Sequence, residues 1–377
     1  MDIITKQYMI DNTGRCISPE YAVRYLRSEL VKVYTSGSTG QYLEVLWDET
    51  DYHKSMTELW IRRYKYYGIK PGDRLLFFHT FNESDEEYIH RKNQLGVSKS
   101  LLIPERFDEV YVKITEWNPK WIIIQPSIMV LLINYIKSNN KAVPKNVAYI
   151  EMTGEILDNQ LKAEVKNLFN CHVANQYGAN EVNSIAYECP CGRMHVMESN
   201  VAVEIVGEQG EVLADSRHKG KGGEDRGSII ITSLNNKAMP FIRYEIGDYG
   251  RLYPNMECPC GNKEMVLALE SGRDNDSIVR SDGSKISSYE IVKLFDIVNS
   301  HTEGAIKQFY VEQRDYDVFC IRLYVEEDME DEVVSEVYDC IRYTVLAGAD
   351  IEIELAVGLW ANDKTGKYKY FKNNIRK

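Results

Sequence analysis

Two short turns in this sequence carry residues that bind soft metal ions. Glu188-Cys-Pro-Cys-Gly192 and Glu257-Cys-Pro-Cys-Gly261 nearly repeat one another, and His195 follows the first turn. Thiolate and imidazole ligands in a closed tetrahedral set are typical of structural Zn²⁺. The predicted zinc ligands are four of the residues Cys189, Cys191, His195, Cys258 and Cys260. Spacing alone leaves open whether Cys191 or His195 completes the set, and paired free thiols are the alternative to a metal.

A loop rich in glycine and hydroxyl groups, Thr35-Ser-Gly-Ser-Thr-Gly40, has the composition of an anion-binding segment. Its glycines allow the backbone to approach a phosphate closely, and the small hydroxyls add hydrogen-bond donors. No Gly-Lys-Ser/Thr follows, so the loop is not a Walker A motif. Taken alone, such a cluster is more often an ordinary surface loop.

Four polar residues further along the chain are suited to a nucleotide. Glu181 ends the segment Gln176-Tyr-Gly-Ala-Asn-Glu181 after a predicted strand, where a carboxylate is suited to hold Mg²⁺. Asp248 can accept hydrogen bonds from both hydroxyls of a ribose. Arg273 can pair with a phosphate or ribose, and Lys367 is placed in a basic, glycine-containing segment from which it can reach a reacting phosphate. Each of them alone is also compatible with a surface turn.

The elements that must position these residues alternate between strands and helices. Apolar segments at 74–78, 121–124, 148–152 and 172–176 predict buried strands, and helical periodicity between them predicts an α/β core with a substantially parallel sheet. A helix capped by Asp48 or Thr50 is expected to present one apolar face. Beyond the first cysteine turn, segments such as 201–206 predict a smaller, mostly antiparallel β unit.

The pattern changes again past Arg273. The predicted elements there are a hairpin at 278–285, helices at 289–298 and 329–346, and strands at 306–312, 318–325 and 351–357. They are enough for a compact α+β module. We therefore predict an α/β protein with an N-terminal core, residues 1–272, and a small C-terminal domain, residues 273–377.

The composition limits the classes of function. A chain of 377 residues with a formal net charge of −12 disfavours nucleic acid as a partner, because phosphate binding requires clustered Lys and Arg. The N-terminal segment has no apolar run typical of a secretory signal, and the most apolar stretch, 121–136, is too short to span a bilayer. We therefore expect a cytoplasmic protein without a membrane partner, in which clustered cysteines bind metal rather than form disulfides.

In their order and spacing, these segments resemble the adenylate-forming superfamily of acyl-CoA synthetases, peptide-synthetase adenylation domains and luciferases. Within it, the sequence is most similar to the phenylacetate–CoA ligase branch and its relatives in capsular polysaccharide gene clusters. The resemblance extends from about Tyr34 to Phe371. It rests on Thr35 to Gly40, Tyr177 to Glu181, Ala238 to Asp248, Gly272-Arg273 with Asp276 and Ile278, and Gly366-Lys367.

The resemblance implies activation of a carboxylic acid with ATP and Mg²⁺ to an acyl-AMP, and then acyl transfer to the thiol of CoA or of a carrier-protein phosphopantetheine. It favours an aryl or arylacetic acid as the substrate and leaves a homodimer open. In the implied roles, Thr35, Ser36, Gly37, Ser38, Thr39 and Gly40 wrap the ATP phosphates, and Gly154, Glu155, Gln176, Tyr177 and Gly178 line the adenine and acyl pocket. Glu181 holds Mg²⁺, Asp248 binds the ribose hydroxyls, Arg273 contacts ribose or phosphate, and Lys367 bridges the carboxylate and the α-phosphate.

Two further properties follow from the resemblance. The C-terminal domain would rotate about a hinge near Arg273 and exchange Lys367 for the thioester step. The branch has a similar cysteine and histidine arrangement, in which the histidine takes the place of one cysteine.

This sequence departs from the family at several positions. The phosphate loop continues as Gln41-Tyr42-Leu43, where a proline and a basic residue are common, so it lacks a nearby cation. Asn180 stands where a threonine is usual, and Asn275 stands where the hinge aspartate is usual. Two alternatives therefore stay open. One is an amide-forming ligase that transfers the acyl group to an amine, and the other is a degenerate homologue that binds a nucleotide without ligase activity.

Overall fold

The computed structural model describes most of the chain. The described residues are 2–35, 43–79, 86–102, 104–155, 157, 159–218, 222–254, 257–270, 277–281, 285–302, 305–326, 328–342, 344, 346–356 and 371–375. No helix within these ranges combines the length and the apolar character needed to cross a bilayer.

The helices are α1 (Lys6–Asp11), α2 (Thr13–Cys16), α3 (Ala22–Leu26), α4 (Glu49–Tyr67), α5 (Pro104–Trp117), α6 (Pro126–Ser138), α7 (Asn159–Phe169), α8 (Tyr289–His301) and α9 (Glu330–Ile341), with short 3₁₀ helices at Pro19–Tyr21 and Lys99–Leu101. The strands are β1 (Val31–Tyr34), β2 (Glu44–Trp47), β3 (Leu75–His79), β4 (Tyr88–Arg91), β5 (Gln94–Ser98), β6 (Trp121–Ile124), β7 (Tyr149–Thr153), β8 (His172–Tyr177), β9 (Ala186–Glu188), β10 (Met194–Val196), β11 (Val201–Val206), β12 (Val212–Asp215), β13 (Gly227–Ser233), β14 (Tyr244–Tyr253), β15 (Val266–Glu270), β16 (Ser277–Val279), β17 (Lys285–Ser287), β18 (Ile306–Asp315), β19 (Val318–Val325), β20 (Asp350–Leu355) and β21 (Phe371–Asn373).

One large mixed sheet forms the frame of the N-terminal part. Within the described residues its strand order is β12-β11-β13-β14-β15-β10-β9-β8-β7-β6-β3-β5-β4. Strands β5, β3, β6, β7 and β8 run parallel, and β4 is an antiparallel edge strand. The predicted α/β fold with a parallel core is therefore confirmed. The carboxyl ends of β7 and β8 lie at one edge of this parallel region, where ligands bind in open α/β sheets.

The parallel region is covered on both faces because its strands alternate their apolar side chains. On β3, Leu76 packs in a core with residues of α5, α6 and α7, whereas Leu75 packs on the opposite face with Trp121 and with Trp60 of α4. Asp48 caps α4, because its carboxylate accepts hydrogen bonds from the backbone N–H groups of residues 50 and 51 at 3.0 and 3.3 Å. The helix therefore begins immediately after the first of the two predicted capping residues.

The predicted smaller, mostly antiparallel β unit is formed by the strands after the first cysteine turn, and these strands are joined to the parallel core. They continue the same sheet, since β9 pairs antiparallel with β8 through Gln176↔Tyr187 and Tyr177↔Ala186. The joining strands β9 and β10 have three residues each, too few to show a period of two in the sequence. The antiparallel half thereby holds a fixed position next to the carboxyl end of β8.

The C-terminal residues form their own sheet and core. The strand order is β20-β19-β18-β21, and the apolar side chains of α8 and α9 pack with those of the central strands. The predicted hairpin is the antiparallel pair of β16 and β17. Helix α9 ends at Ile341, earlier than predicted, where the chain turns before a glycine with φ +82° at position 348. The proposed boundary at residue 273 lies outside the described residues and stays a prediction.

Candidate functional site

Thr35, the first residue of the predicted phosphate loop, is hydrogen-bonded to Leu43, just beyond the end of that loop. Its backbone N–H donates to the carbonyl of Leu43 at 3.0 Å, and its buried hydroxyl accepts a hydrogen bond from the Leu43 N–H at 3.1 Å. These bonds continue the antiparallel pairing of β1 with β2. The rest of the predicted loop, Ser36, Gly37, Ser38, Thr39 and Gly40, lies outside the described residues.

The ends of β7 and β8 bring two predicted pocket segments together. The Thr153 hydroxyl at the end of β7 donates to the side-chain carbonyl of Gln176 on β8. Gln176 is itself buried, and its amide donates to the hydroxyl of Ser184 at 3.1 Å. Gly154 follows Thr153 with a φ of +81°, a conformation that favours glycine, and Glu155 follows it half-buried. These residues form one wall at the edge of the parallel sheet.

Gly178 allows the chain to turn closely at the end of β8. A Cβ atom at this position would lie 2.1 Å from the backbone oxygen of Asn183 and 2.5 Å from the amide nitrogen of Gln176. A larger residue would therefore displace both the loop and a pocket side chain.

A hydrogen bond joins Tyr177 to Asp248, the residue predicted to bind the ribose. The phenol of Tyr177 donates to one carboxylate oxygen of Asp248 at 2.7 Å, although the two residues are 71 positions apart in sequence. Asp248 lies in β14 after Gly247, whose φ is +94°, and its side chain is exposed to solvent. A carboxylate held at one oxygen and open at the other is available to accept a hydroxyl of a ligand.

Glu181 lies buried, with 5% of its surface exposed, behind the loop that follows β8. The hydroxyl of Tyr244, the first residue of β14, donates to its carboxylate at 3.0 Å. Burial raises the pKa of the Glu181 carboxyl, while hydrogen bonds and the charge of Lys6 favour its ionised form. A buried carboxylate that accepts hydrogen bonds only from its own backbone N–H and from the Tyr244 hydroxyl has unused acceptor capacity for a cation.

Asn180 connects the Glu181 loop to the phosphate-loop entry. Its side-chain amide donates to the Tyr34 carbonyl at 2.5 Å, and its own carbonyl accepts a hydrogen bond from the indole N–H of Trp47 at 3.0 Å. The Asn180 side chain thereby fixes the position of the loop entry relative to Glu181.

The structure thus brings together the described parts of four predicted segments: the loop entry, the ends of β7 and β8, Glu181 and Asp248. Arg273 and Lys367 lie outside the described residues, so their roles stay predictions. Sequence reasoning missed Tyr244 as the donor to Glu181, although this tyrosine lies inside a segment that carried the family resemblance. It also missed Lys6, which no motif marks.

The cysteine turns meet in a compact cluster. The ligand atoms of Cys189, His195, Cys258 and Cys260 all lie within 4.8 Å of one another. The Sγ atoms of Cys189 and Cys258 are 3.7 Å apart, and Cys260 Sγ is 3.4 Å from His195 Nε2. Tetrahedral coordination with zinc–sulfur and zinc–nitrogen bonds of about 2.3 and 2.1 Å requires separations of roughly 3.8 and 3.6 Å. The donor set therefore fits Zn²⁺, with His195 as the fourth ligand.

Cys191 does not belong to this cluster, and its side chain is exposed. The geometry within the described residues thus favours His195 over Cys191. Burial lowers the pKa of the His195 imidazole, so this ligand is neutral at pH 7. Burial also raises the pKa of the Cys189 thiol to about 12, so this sulfur is protonated at neutral pH unless a cation displaces the proton.

A buried arginine connects the cysteine cluster to α4. His195 Nδ1 lies 3.2 Å from the carbonyl oxygen of Glu264, an arrangement that leaves Nε2 facing the thiols. Arg62 of α4 forms an ion pair with the Glu264 carboxylate and donates to the backbone carbonyl of His195 at 3.3 Å. The cluster is therefore supported from the helix that covers the parallel sheet.

Comparisons with known proteins concern first the sequence and then the fold. No protein family model matches the chain. Protein CapK of Staphylococcus aureus is 20% identical over 390 residues, which cover 99% of this chain and 79% of CapK.

Two solved structures of 2-hydroxyisobutyryl-CoA ligase are similar to this chain. The ligase in its thioesterification state, in complex with 2-HIB-AMP and CoA, has a TM-score of 0.61 and 16% identity, covering 99% of this chain and 80% of the ligase. The same ligase in its postadenylation state with 2-HIB-AMP has a TM-score of 0.59 and 14% identity, covering 100% of this chain and 80% of the ligase. The chain therefore has the fold of the adenylate-forming acyl-CoA ligases.

Proposed function

We propose that this chain, which has the fold of the adenylate-forming acyl-CoA ligases, is itself such an enzyme. It activates a small carboxylic acid with ATP and Mg²⁺ to an acyl-AMP, and then transfers the acyl group to a thiol. The thiol is that of CoA or of a carrier-protein phosphopantetheine. The resemblance to the phenylacetate–CoA ligase branch favours an aryl or arylacetic acid.

One observation carries the proposal: the segments predicted to bind the nucleotide lie together at the carboxyl ends of β7 and β8. Asn180 contacts the phosphate-loop entry across 146 positions of sequence, and Tyr177 contacts Asp248 across 71. Separate surface turns would have no reason to converge in this way. Their convergence at the edge where open α/β sheets bind ligands supports a shared nucleotide site.

The proposed first step brings two anions together. A carboxylate oxygen of the acid forms a bond to the α-phosphorus of ATP, and the bond from that phosphorus to pyrophosphate breaks. Mg²⁺ held at Glu181 would neutralise charge on the phosphates, and Lys367 would do so at the α-phosphate. Asp248 would fix the nucleotide by its ribose. No side chain has to act as a nucleophile in this step.

We also propose that Cys189, His195, Cys258 and Cys260 hold a structural zinc ion. Four protein ligands close the coordination shell, which leaves no position for a substrate. The cluster is built from residues in and next to β9 and β10 and in the segment before β15. The metal would therefore hold the frame together rather than take part in the reaction.

The test of the proposed function is carboxylate-dependent pyrophosphate release. The purified protein is given ATP, Mg²⁺ and a panel of aryl, arylacetic, aliphatic and amino acids, first alone and then with CoA or an amine. We expect release with one class of acid and thioester formation with CoA or a phosphopantetheine carrier. Amide formation would identify the amine-transferring alternative. Nucleotide binding without release across the panel would contradict a ligase.

Lys367→Ala tests the residue assigned to the α-phosphate. We expect loss of acyl-AMP formation by about three orders of magnitude with nucleotide binding retained, because the lysine acts on charge that develops in the transition state. Lys364→Ala in the same segment is the matched control and should keep full activity. Unchanged turnover of Lys367→Ala would show that this assignment is wrong.

A further inference from the structure

The last turn of α8 lies beside α9 in the C-terminal core. His301 is the final residue of α8, and Glu336 and Cys340 are four positions apart on α9. Residues with this spacing lie on one face of a helix, so both α9 side chains are on the side that His301 contacts. The apolar residues of α8 and α9 pack in one core, which fixes the three polar side chains relative to one another.

These three side chains, the His–Glu–Cys group, converge on one oxygen atom. The Cys340 thiol donates to Glu336 Oε1 at 3.2 Å, and His301 Nδ1 contacts the same oxygen. The imidazole, carboxylate and thiol ligand atoms all lie within 4.8 Å of one another. Tetrahedral coordination by Zn²⁺ requires separations of roughly 3.4 to 3.6 Å between such atoms. Small side-chain shifts would therefore place all three around one ion.

An ordinary ion pair accounts for only part of this arrangement. A protonated His301 would be stabilised by the negative end of the α8 dipole and by Glu336. An ion pair needs no thiol, yet the Cys340 side chain, 9% exposed, lies against the same carboxylate oxygen. A divalent cation would interact with the same end of α8 and would take a ligand from each of the three residues.

The charge of the Glu336 carboxylate is available to a cation. Within the described residues, no lysine or arginine pairs with Glu336, whose ion-pair partner is His301. The other group of a cysteine with carboxylates in this domain differs, because the carboxylates beside Cys320 pair with Arg314 and Arg322. Guanidinium groups already neutralise those carboxylates, so we assign no metal to them.

The thiol of Cys340 fits a metal ligand better than a nucleophile. Burial, together with the charges of Glu336 and Asp339, raises the pKa of this thiol to about 12. Reactive cysteines instead have a lowered pKa and a base that takes the thiol proton. A bound cation displaces the proton into solvent, and the sulfur then coordinates as a thiolate.

We propose that His301, Glu336 and Cys340 bind a second zinc ion, in addition to the one proposed at the cysteine turns. Thiolate and imidazole ligands favour Zn²⁺ over Mg²⁺ and Ca²⁺, which prefer oxygen. Three protein ligands leave one position for water, so this ion exchanges with the solution and is lost more readily than an ion in a closed site. Bound zinc would join the end of α8 to α9. The inference does not depend on the proposed ligase activity.

The experiment is metal binding by the full chain, measured by equilibrium dialysis against Zn²⁺ and by the thiolate-to-metal absorption of added Co²⁺. His301→Ala and Cys340→Ser each remove one ligand. The matched control is His53→Ala, because His53 is an exposed histidine that pairs with Glu49 on the surface of α4. We expect the unchanged chain to bind about one more zinc ion than either ligand variant, with affinity for that ion at least about tenfold weaker in both variants.

His53→Ala should match the unchanged chain, and the cobalt absorption of the additional ion should be lost in Cys340→Ser. Added zinc should raise the Tm of the unchanged chain more than that of the ligand variants, and unfolding without added zinc shows whether each variant keeps its fold. If the unchanged chain binds no more zinc than Cys340→Ser and His301→Ala, or if His53→Ala loses the additional ion equally, the inference is wrong. Because no turnover is measured, absence of pyrophosphate release would contradict the ligase proposal alone.

Discussion

At the scale of single residues, the buried carboxylate of Glu181 is needed for the proposed Mg²⁺ site but lowers the stability of the fold. Its carboxylate is buried, and the only side-chain hydrogen bond that it accepts within the described residues comes from Tyr244. Burial raises its pKa in the folded protein, so the unfolded chain binds fewer protons than the folded protein at pH values from about 4 up to this raised pKa. An ionised Glu181 therefore lowers the free energy of unfolding at neutral pH.

We predict that Glu181→Gln stabilises the fold at pH 8 and abolishes carboxylate-dependent pyrophosphate release. Glutamine still accepts the Tyr244 hydrogen bond but carries no buried charge. The gain in stability should grow as the pH rises from about 4 through the raised pKa of Glu181, and should be constant above it. Urea midpoints at several pH values measure this gain. A variant that is less stable at pH 8 than at pH 5, relative to the unchanged chain, would contradict the argument.

Asp248 supports a second residue-scale prediction, because its assigned ligand is a pair of hydroxyls. Asp248→Asn should raise the KM for ATP by roughly tenfold to hundredfold, as expected for the loss of charged hydrogen bonds. The change should weaken AMP and ATP alike, because both carry the ribose. With 2′,3′-dideoxy-ATP the two proteins should bind equally, since the hydroxyls are absent. If Asp248→Asn still bound this analogue more weakly than the unchanged chain, Asp248 would not act through the ribose hydroxyls.

At the scale of elements, a buried ion pair joins α4 to the sheet. Arg63 of α4 donates through Nε to the Glu151 carboxylate of β7 at 2.8 Å, and both side chains are buried. The guanidinium lies over the rings of Trp60 and Trp121, 4.9 and 5.1 Å from their centroids. Glu151 is three positions before Gly154, so this contact helps to position the wall of the candidate site.

We predict that Arg63→Met lowers the free energy of unfolding by about 3–5 kcal/mol, because it leaves the Glu151 charge buried without a partner. The double variant Arg63→Met/Glu151→Gln should recover at least half of this loss. Glutamine removes the charge and still accepts the hydroxyl of Tyr187, which lies 2.9 Å from the carboxylate. Denaturant unfolding of the single and double variants measures the coupling. If the losses in free energy of unfolding of the single variants simply add in the double variant, the ion pair contributes nothing to stability beyond the packing of its two side chains.

The sequence predicted those elements whose residue types match the burial that the fold gives them. Strands β6 and β11 match their predicted bounds because continuous apolar or β-branched runs are typical of buried strands. Strand β14 was not predicted, because Gly247-Asp248 is also compatible with a turn, and only its pairing with β13 and β15 makes it a strand. Local pattern carries no information about such partners.

The candidate site was predictable in its parts and not in its connections. Glu181 and Asp248 were identified from motifs, whereas the donor Tyr244 lies 63 positions from Glu181. Lys6 precedes every motif and reaches the site only through the backbone pairing of Ile4 with the start of β14. Contacts of this kind depend on the tertiary fold, which explains why motif spacing did not reveal them.

At the scale of the whole molecule, the cysteine cluster ties the β9–β10 hairpin to the segment that precedes β15. Strand β15 pairs with β14, which carries Tyr244 and Asp248. We expect the purified protein to contain about one zinc ion per chain, and zinc removal by a chelator to lower the Tm by about 5 °C and to raise the KM for ATP.

Cys258→Ser should reproduce the effect of zinc removal, and Cys191→Ser should not, because Cys191 is exposed and lies outside the cluster. Metal analysis of the unchanged chain and both variants gives the stoichiometry directly. A zinc content well below one per chain without chelators, or loss of zinc in Cys191→Ser alone, would contradict the assigned ligands.

Carboxylate-dependent exchange of labelled pyrophosphate into ATP, without any thiol or amine present, is the most direct measure of acyl-AMP formation by this protein. The exchange occurs only if the protein forms an acyl-AMP reversibly, and it does not require knowledge of the acceptor. We predict exchange that depends on Mg²⁺ and on one class of carboxylic acid, with AMP as the nucleotide product once CoA is added, and no exchange by Lys367→Ala. Absence of exchange with every acid despite ATP binding, or formation of ADP and phosphate instead, would contradict an adenylate-forming ligase.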